Sequence, residues 1–336
     1  MRKAISTMLA KDPEIKVVGT ANNGSEGLER VRELDPDVVT LDIEMPVMDG
    51  LTALRHIMME MPRPVIMISS LTTEGAEATL KALELGAVDF IPKDLSKVSL
   101  DIIRIEADLQ KKVKTVARRK LRHRMPPRPR RQPEPPARAA TGGRQVRDIV
   151  AIGVSTGGPP AVQKVLSSLP ENFPASVLIA QHMPPAFTGP FAKRLDNVCA
   201  VSVKEAEDGE PLKPGTVYIA PGGKHLKIIQ RGAKLDVLVS PEPADALYKP
   251  SANVLISSVA DVVGRRALGV ILTGMGSDGL EGVRALKARG GRVLAQSDAT
   301  CVVYGMPKAI VDAGLADEIV GIDEMGPAII SSLYEG

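Results

Sequence analysis

The sequence contains no tryptophan, and only 2% of its 336 residues are aromatic. The cores must therefore be built mainly from Val, Ile, Leu, Met and Ala, which is common in parallel sheets that are buried on both faces. The cysteines Cys199 and Cys301 are isolated and have no metal-ligand spacing around them. This spacing argues against a disulfide framework and indicates a reducing compartment.

Long apolar runs are absent as well. No stretch reaches the roughly 18 residues of a membrane-spanning helix. The opening Met1-Arg2-Lys3 leads into a short amphipathic stretch rather than into a secretory leader. We therefore expect a cytoplasmic protein with no membrane insertion.

Acidic residues are nearly missing from one segment. Residues 111–147 contain 14 Lys and Arg against one acid, Glu134, so this segment carries a charge of +13 within a chain of formal charge +3. Residues 125–136 are also dense in proline, which cannot continue a helix. Such a composition favours an extended, solvated chain, and we predict a linker.

Short apolar runs alternate with helical patterns on both sides of this segment. Alternation of this kind indicates βα units and parallel sheets. We predict an α/β domain over residues 1–108, a basic linker over 109–147 and a second α/β domain over 148–336. The predicted strands are 16–21, 37–42, 64–69 and 88–91 in the first domain and 149–154, 175–181, 216–220, 268–273 and 292–296 in the second. A hairpin is predicted at 226–238.

Three strands of the second domain are followed by residues suited to hydrolysis. Ser155, His182 and Asp278 each come just after an apolar run. Because active sites of open parallel sheets lie outside the carboxyl ends of the strands, we expect the three side chains to meet at one edge. A hydroxyl, an imidazole and a carboxylate are the groups that hydroxyl-nucleophile hydrolysis needs.

The serine lies in the pattern G-x-S-x-G, formed by Gly153 to Gly157. Glycines at these places permit a tight strand-to-helix turn that exposes the hydroxyl, and the following helix would offer N–H groups to an oxyanion. Two other interpretations remain open at this point. Ser155 or Thr156 before Gly-Gly-Pro-Pro suits an ordinary helix cap. A phosphate-binding loop is a weaker alternative, because the Gly-Lys-Ser/Thr ending is missing.

His182 is the only histidine at the carboxyl end of a predicted strand, since His56, His123 and His225 fall in a helix, the linker and a loop. This position favours it as the general base. Asp278 suits the carboxylate that orients the base, although Asp-Gly is also a turn dipeptide. The chain order Ser, His, Asp differs from the order Ser, Asp, His of the α/β-hydrolases, which argues against that superfamily.

The first domain has a second polar rim. Asp42 ends a predicted strand before a Pro/Gly loop, Ser69 ends the next strand, and Lys93 follows the last. A carboxylate can accept a phosphoryl group, and a hydroxyl and an ammonium can then respond to it. The alternative is an ordinary polar rim of an α/β domain.

Longer motifs resemble a known family. The first domain is similar to two-component receiver domains, with a flavodoxin-like fold. The second resembles the doubly wound parallel-sheet catalytic domain of the chemotaxis protein-glutamate methylesterases. The motifs of the receiver are 41–51, 69–72 and 82–90, and those of the esterase are 152–158, 181–184, 218–223, 272–279 and 295–307.

This resemblance implies hydrolysis of glutamate methyl esters on methyl-accepting chemotaxis receptors and deamidation of receptor glutamines. Ser155 would be the nucleophile, His182 its base and Asp278 the orienting acid. Thr156 would support the contact to His182, and the Met275 N–H would bind the oxyanion. No metal or other cofactor is implied for catalysis.

The resemblance also implies control by phosphorylation. The chemotaxis histidine kinase would phosphorylate Asp42, Ser69 and Lys93 would respond to the phosphate, and the unphosphorylated receiver would cover the active site. Receptors and the kinase are thus the expected partners, and we expect no nucleic acid partner.

The match fails at the start of the chain. Receivers open with a strand that ends in an acidic pair holding Mg²⁺, whereas here the first residues resemble the helix that follows it. We expect the segment 16–21 to lose its neighbouring strand, which would leave backbone groups unpaired. Either the start is assigned too late or the receiver is degenerate, and the retained Asp42, Ser69 and Lys93 favour the first.

Two other functions stay open. A response regulator with a non-enzymatic or nucleic-acid-binding output would use the basic segment, but that segment lacks interleaved aromatics and a recognition-helix pattern. A general serine esterase would share the same catalytic residues and act on small esters. The basic segment also suits an acidic receptor bundle as its partner.

Overall fold

The computed structural model describes residues 2–93, 99–120 and 143–335. The chain divides into two compact units, Met1–Arg130 and Arg131–Gly336. Each unit has its own sheet and core, and the elements of each are described separately. No helix within the described ranges is long and apolar enough to cross a membrane.

The first unit is a three-stranded parallel sheet with helices around it. Strand β2 has every residue buried and lies between β1 and β3. The helices α2, α3 and α4 begin at side-chain caps that accept a backbone N–H, which satisfies the open end of each helix. The elements are α1 Arg2–Ala10, α2 Gly24–Leu34, β1 Val39–Asp42, α3 Gly50–Glu60, β2 Val65–Ser69, α4 Thr73–Glu84, β3 Asp89–Pro92 and α5 Ser99–Lys120.

One predicted strand of this unit is wrong. Residues 16–21 form irregular structure, and Val17 and Val18 are 36% and 46% exposed. A strand needs a neighbour for its backbone N–H and C=O groups, and within the described residues no strand lies beside this segment. The apolar pattern of 16–21 is therefore present, whereas the pairing that would make it a strand is not.

Helix α5 continues past the boundary that the sequence predicts at residue 108. Leu109, Val113 and Val116 are buried, and the first two pack in one core with α1 and the sheet. Lys112 forms ion pairs with Asp89 and Asp108 at 3.1 and 3.3 Å. Part of the basic segment is thus a helix, on which Lys112, Lys114 and Arg118 form ion pairs with acidic side chains. The proline-dense stretch lies outside the described residues.

The second unit is built on seven parallel strands in the order β13-β12-β11-β5-β6-β8-β7. An antiparallel hairpin, β9 and β10, turns at Gly232, where φ is +62°. The strands and helices are β4 Arg144–Gln145, β5 Ile149–Val154, α6 Gly158–Leu166, β6 Ser176–Gln181, α7 Pro185–Asp196, β7 Ser202–Glu205, β8 Thr216–Ile219, β9 His225–Arg231, β10 Lys234–Ser240, α8 Ala252–Val263, β11 Ala267–Ile271, α9 Leu280–Ala288, β12 Arg292–Gln296, α10 Met306–Asp312, β13 Glu318–Val320, α11 Met325–Ser332 and β14 Tyr334–Glu335.

The five strands and the hairpin predicted for this unit are all present, with ends shifted by at most two residues. Strands β7 and β13 are absent from the prediction. They are short edge strands whose partly exposed residues give no continuous apolar run. The order of the strands reverses between β5 and β11, which are neighbours in the sheet. The carboxyl ends of strands at such a reversal are the usual ligand-binding crevice of a doubly wound sheet.

Candidate active site

Ser155 lies in the turn between β5 and α6. Its N–H donates to the Thr273 carbonyl oxygen at 3.0 Å, and its own carbonyl oxygen accepts the Gly158 N–H at 2.8 Å. The N-cap of α6 is Gly157, with φ at +74°, and no side chain caps this helix. The interpretation of Ser155 or Thr156 as the helix cap is therefore wrong.

The glycines of this turn are required by their surroundings. A Cβ atom on Gly157 would collide with the Val302 side chain, and one on Gly158 would collide with Oε1 of Gln181. The positive φ of Gly157 adds a second reason, because L side chains rarely adopt it. The small residues of the G-x-S-x-G stretch thus reflect close packing beside the serine.

The structure brings Ser155, His182 and Asp278 together. His182 Nδ1 lies 3.1 Å from Ser155 Oγ, and His182 Nε2 lies 2.7 Å from Asp278 Oδ2. The side chains of His182 and Asp278 are only 10% and 4% exposed. The three residues come from the ends of β5, β6 and β11, which are adjacent strands, so the sheet order places them at one edge.

The contacts of the imidazole define which nitrogen is the base. An ionised carboxylate only accepts hydrogen bonds, so Nε2 of His182 carries the proton that faces Asp278. Nδ1 then has a free lone pair and accepts the hydroxyl proton of Ser155. In the serine protease arrangement Nε2 faces the serine and Nδ1 faces the aspartate, so the two nitrogens of His182 have exchanged roles here.

Asp278 is held from several directions. It accepts hydrogen bonds from the Ser251 hydroxyl at 2.8 Å and from the N–H groups of Ala252 and Asn253 at 2.7 and 3.0 Å. Burial would raise the pKa of Asp278, but the hydrogen bond and charge of His182 and these N–H donors outweigh burial and hold the pKa below its ordinary value. Asp278 therefore stays ionised and fixes the orientation of His182.

Two neighbours of the catalytic residues were not singled out from the sequence. The ring of Tyr248 stacks on that of His182, with centroids 4.2 Å apart and planes 13° apart. Gln181 is buried, and its amide nitrogen donates to the carbonyl oxygens of both Ser155 and His182 at 3.1 Å. The sequence signal for Tyr248 is that it is one of only four tyrosines in the chain and lies four residues before α8. Gln181 adjoins His182, but nothing in its position signals a bond to Ser155.

Met275, expected to bind the oxyanion, and Thr156, expected to support His182, both lie beside the serine. A Cβ atom on Gly274 would come within 2.9 Å of Ser155 Cβ, so the loop that carries Met275 packs directly on the nucleophile. Within the described chain, the N–H groups of Met275 and Thr156 donate to no backbone or side-chain acceptor. The Thr156 side chain is buried but makes no hydrogen bond to His182, so its supporting role stays a prediction.

One expectation about the oxyanion is wrong. Helix α6 contributes few N–H groups at its start, because Pro159 and Pro160 have none and the Gly158 N–H is bonded to Ser155. Among the described residues, the N–H groups of Thr156 and Met275, in the two loops beside Ser155, have no such partner.

The rim of the first unit brings together two of its three predicted residues. Lys93 Nζ lies 2.5 Å from Asp42 Oδ1 and 3.2 Å from Glu44 Oε2. Ser69 is buried, and its hydroxyl accepts from the Thr79 hydroxyl at 2.6 Å and lies 3.1 Å from the Gly75 carbonyl oxygen. The Ser69 hydroxyl is thus bonded to α4 and not to Asp42 or Lys93, whereas the Ser69 carbonyl oxygen accepts the Lys93 N–H at 2.6 Å.

The donors at this rim do not fit a magnesium site. Mg²⁺ prefers carboxylate oxygens and water. Within the described ranges, no cluster of three or more His, Cys, Asp or Glu side chains is arranged to hold a metal ion. The carboxylates at the rim are Asp42 and Glu44, and Lys93 already pairs with both.

These arrangements define a class of protein. A buried hydroxyl–imidazole–carboxylate set at the switch point of a parallel sheet defines a serine-type hydrolase domain. The first unit adds a small α/β domain with the carboxylate of Asp42 at its rim, paired with Lys93.

Comparison with known families then gives the family itself. Residues 150–329 match the sequence model of the CheB methylesterase family, and residues 1–103 match the response regulator receiver domain. The chain therefore belongs to the CheB methylesterases that have an N-terminal receiver domain.

Individual relatives agree over nearly the whole chain. The chain is 70% identical to protein-glutamate methylesterase/protein-glutamine glutaminase 2 of Nitratidesulfovibrio vulgaris, over 100% of this chain and 97% of the relative. It is 66% identical to protein-glutamate methylesterase/protein-glutamine glutaminase 1 of Oleidesulfovibrio alaskensis, with the same coverage. The crystal structure of the Thermotoga maritima CheB methylesterase catalytic domain matches with a TM-score of 0.54 and 41% identity, over 55% of this chain and 97% of that chain.

Proposed function

We propose that this protein hydrolyses glutamate γ-methyl esters on methyl-accepting chemotaxis receptors, releasing methanol, and deamidates receptor glutamines. The observation that carries this proposal is the pair of contacts of His182, at 3.1 Å to Ser155 and 2.7 Å to Asp278. The relatives named as methylesterases and glutaminases supply the substrate class. We place the reaction in the cytoplasm, in keeping with the composition.

In the first half of the proposed reaction, Ser155 Oγ attacks the ester carbonyl carbon while its proton passes to His182 Nδ1. The negative charge that develops on the carbonyl oxygen is stabilised by the loop N–H groups of Met275 and Thr156. The C–OCH₃ bond then breaks, and His182 gives its proton to the departing methoxide. The products of this half are methanol and a glutamyl ester of Ser155.

In the second half, water attacks the same carbonyl carbon after passing a proton to His182 Nδ1. The bond to Ser155 Oγ breaks, His182 returns the proton to Ser155 Oγ, and the glutamic acid side chain that is released loses its remaining proton to solvent. A glutamine side chain follows the same course with ammonia as the leaving group. Each proton transfer uses His182, and Asp278 stabilises the imidazolium. The proposed catalysis therefore needs no cofactor.

We further propose that phosphorylation of Asp42 by the chemotaxis histidine kinase controls this activity. Asp42 is 25% exposed, and Lys93 lies next to it, where an ammonium would pair with an added phosphate. Ser69 and Lys93 would respond to the phosphate, and the unphosphorylated receiver would inhibit the esterase.

The decisive experiment replaces the nucleophile. Ser155→Ala in the full chain should lower methanol release from methylated receptor membranes by about 10³-fold or more, because loss of a triad nucleophile removes covalent catalysis. Ser331→Ala, which removes an exposed hydroxyl on α11, is the matched control and should act like the wild type. Undiminished release by the alanine variant at residue 155 would refute the proposal.

A general serine esterase is the second candidate, since the triad alone does not select a protein substrate. A small model ester separates the two. A methylesterase specific for receptors has a much higher kcat/KM for methylated receptor than for the model ester, and a general esterase does not. The basic segment 111–147 predicts a further difference, because neutralising its arginines should weaken receptor association mainly at low ionic strength.

A further inference from the structure

We propose that Tyr248 is a positioning residue that holds the His182 imidazole in place while the acyl-enzyme is hydrolysed. This inference rests on the proposed function, because it concerns the second half of that reaction. It starts from the stacked rings of Tyr248 and His182, 4.2 Å apart and 13° from parallel.

The ring of His182 is held in three ways in the free enzyme. Ser155 Oγ is bonded to Nδ1, and Asp278 is bonded to Nε2. These two contacts hold the ring at its two nitrogen atoms. The stacked Tyr248 ring covers one face and opposes tilting out of the plane. Each contact therefore restricts a different motion.

One of these contacts is lost when the acyl-enzyme forms. Ser155 Oγ is then an ester oxygen with no proton, and Nδ1 is a lone-pair acceptor, so the two atoms no longer share a hydrogen bond. Asp278 alone fixes one nitrogen, which leaves the ring free to pivot about that bond. The stacked Tyr248 ring still restrains the His182 imidazole at this stage, when Nδ1 must take a proton from water.

The backbone on both sides of Tyr248 is fastened. The Gly223 N–H donates to the Lys249 carbonyl oxygen at 3.0 Å, and His225 Nε2 donates to the Pro243 carbonyl oxygen at 3.2 Å. Two residues beyond Lys249, the Ser251 hydroxyl donates to Asp278. The loop that carries Tyr248 is thus tied to the core and to the catalytic carboxylate, which gives the ring a defined position.

The phenol end of Tyr248 reaches the loop after β11. A Cβ atom on Gly276 would lie 3.5 Å from the Tyr248 hydroxyl oxygen. Gly276 follows Met275, the proposed oxyanion donor. Tyr248 therefore extends from the imidazole to the neighbourhood of the oxyanion loop, a placement that a tyrosine serving only as a surface cover does not need.

The test compares Tyr248→Leu with Tyr248→Phe in the full chain. Leucine removes the planar ring, and we expect kcat to fall about 10- to 100-fold and KM to fall with it, because slowing the hydrolysis of the acyl-enzyme alone lowers both and leaves kcat/KM nearly unchanged. Phenylalanine keeps the ring and should restore kcat to within about twofold. Tyr334→Leu, at β14, controls for general loss of a tyrosine, and thermal melting shows whether each variant is folded.

The decisive readout is which half of the reaction is slowed, acylation of Ser155 or hydrolysis of the acyl-enzyme. We expect Tyr248→Leu to release a burst of methanol equal to the enzyme present, followed by slow turnover, with glutamyl-Ser155 detected by mass spectrometry. Equal slowing of both halves, or wild-type turnover by the leucine variant, would overturn the inference.

A p-nitrophenyl ester separates this inference from the proposed function. It acylates Ser155 and releases nitrophenol whether or not receptors are the natural substrate. If wild type ignores methylated receptor yet Tyr248→Leu increases the ratio of burst to steady rate with the nitrophenyl ester, the proposed function fails and the role of Tyr248 stands. If wild type hydrolyses methylated receptor and the ratio of burst to steady rate is unchanged in Tyr248→Leu, the proposed function stands and the proposed role of Tyr248 fails.

Discussion

Both units place a carboxylate at the carboxyl end of a parallel strand or just beyond it, but they hold these carboxylates differently. The Asp278 side chain is 4% exposed and accepts from Ser251, Ala252, Asn253 and His182. Asp42 is 25% exposed, and only its Oδ1 has partners within the described residues.

This difference matches two kinds of chemistry. Asp278 has donors on both oxygens, so it is fixed in place and acts by orienting His182. Asp42 keeps Oδ2 open, and an oxygen without a donor is the one that can attack phosphorus. The same position at the end of a strand thus holds either a carboxylate fixed by donors on both oxygens or a more accessible one, which we propose to be the phosphorylated residue. Variants at the two rims test this contrast.

The largest effect is expected at Asp278. Asp278→Asn puts an amide where His182 Nε2–H needs an acceptor, which favours the wrong tautomer and should lower kcat by about 10⁴-fold. Methanol release from methylated receptor measures this loss. Asp323→Asn, on an exposed ion pair with Lys164, is the control and should keep full activity. Near-normal turnover by the residue 278 variant would mean that the orientation of His182 does not depend on its carboxylate.

A smaller loss is expected from the backbone clamp at Gln181. Gln181→Met keeps the length of the side chain but removes the donor that bonds the carbonyl oxygens of Ser155 and His182. We expect kcat to fall about 10- to 100-fold with KM unchanged, because the nucleophile and base lose their common support.

Two observations refine this prediction. The His182 carbonyl oxygen left without this donor should lower the free energy of unfolding by about 1–3 kcal/mol, whereas the Ser155 carbonyl oxygen keeps the Gly158 N–H. Gln296→Met is the matched control, since Gln296 is a buried glutamine at the end of β12 that bonds Thr273 and Thr300 instead. A greater loss of kcat in the Gln296 variant would indicate that support of the scaffold, and not of the two catalytic residues, sets the rate.

The exposed carboxylate should affect regulation and leave the chemistry intact. Asp42→Asn keeps the triad untouched, so basal methanol release should change little. Activation by a small acyl-phosphate donor should be lost, and allosteric couplings of this kind usually amount to about 5- to 150-fold. Glu44→Gln, which alters the neighbouring carboxylate that pairs with Lys93, is the comparison and should retain activation. Persistent activation of the Asp42 variant would show that phosphate acts elsewhere.

Much of this contrast was predictable from sequence, for a physical reason. Strands such as 149–154 are buried on both faces and produce apolar runs, and residues after such runs share a sheet edge. Ser155, His182 and Asp278 could thus be placed together without coordinates. The same rule gave a wrong strand at residues 16–21. Their apolar pattern predicts a strand, but a strand also needs a neighbouring strand to pair with, and the pattern does not show whether one is present.

Other features depend on contacts that no local pattern records. Tyr248 meets His182 across many residues of chain, and Gln181 reaches the carbonyl of Ser155 from a neighbouring strand. Ser69 ends β2 as predicted, but its hydroxyl is bonded to Thr79 and not to Asp42 or Lys93. This bond depends on the packing of α4. Side-chain partners are set by tertiary structure, whereas the positions of strand ends are set by composition.

The smallest effect concerns stability at acid pH. Because the pKa of Asp278 is lowered in the folded protein, ionised Asp278 stabilises the fold above the pKa of an unfolded aspartate, about 3.9. This contribution is lost as the pH falls from there through the lower folded pKa. Asp278→Asn should therefore be less stable than wild type at pH 7, with a difference that shrinks below about pH 4. Urea unfolding at several pH values measures it, with Asp323→Asn as control. A difference that stays constant with pH would mean that Asp278 stabilises the start of α8 by shape and hydrogen bonding alone, and its charge would then matter only for His182.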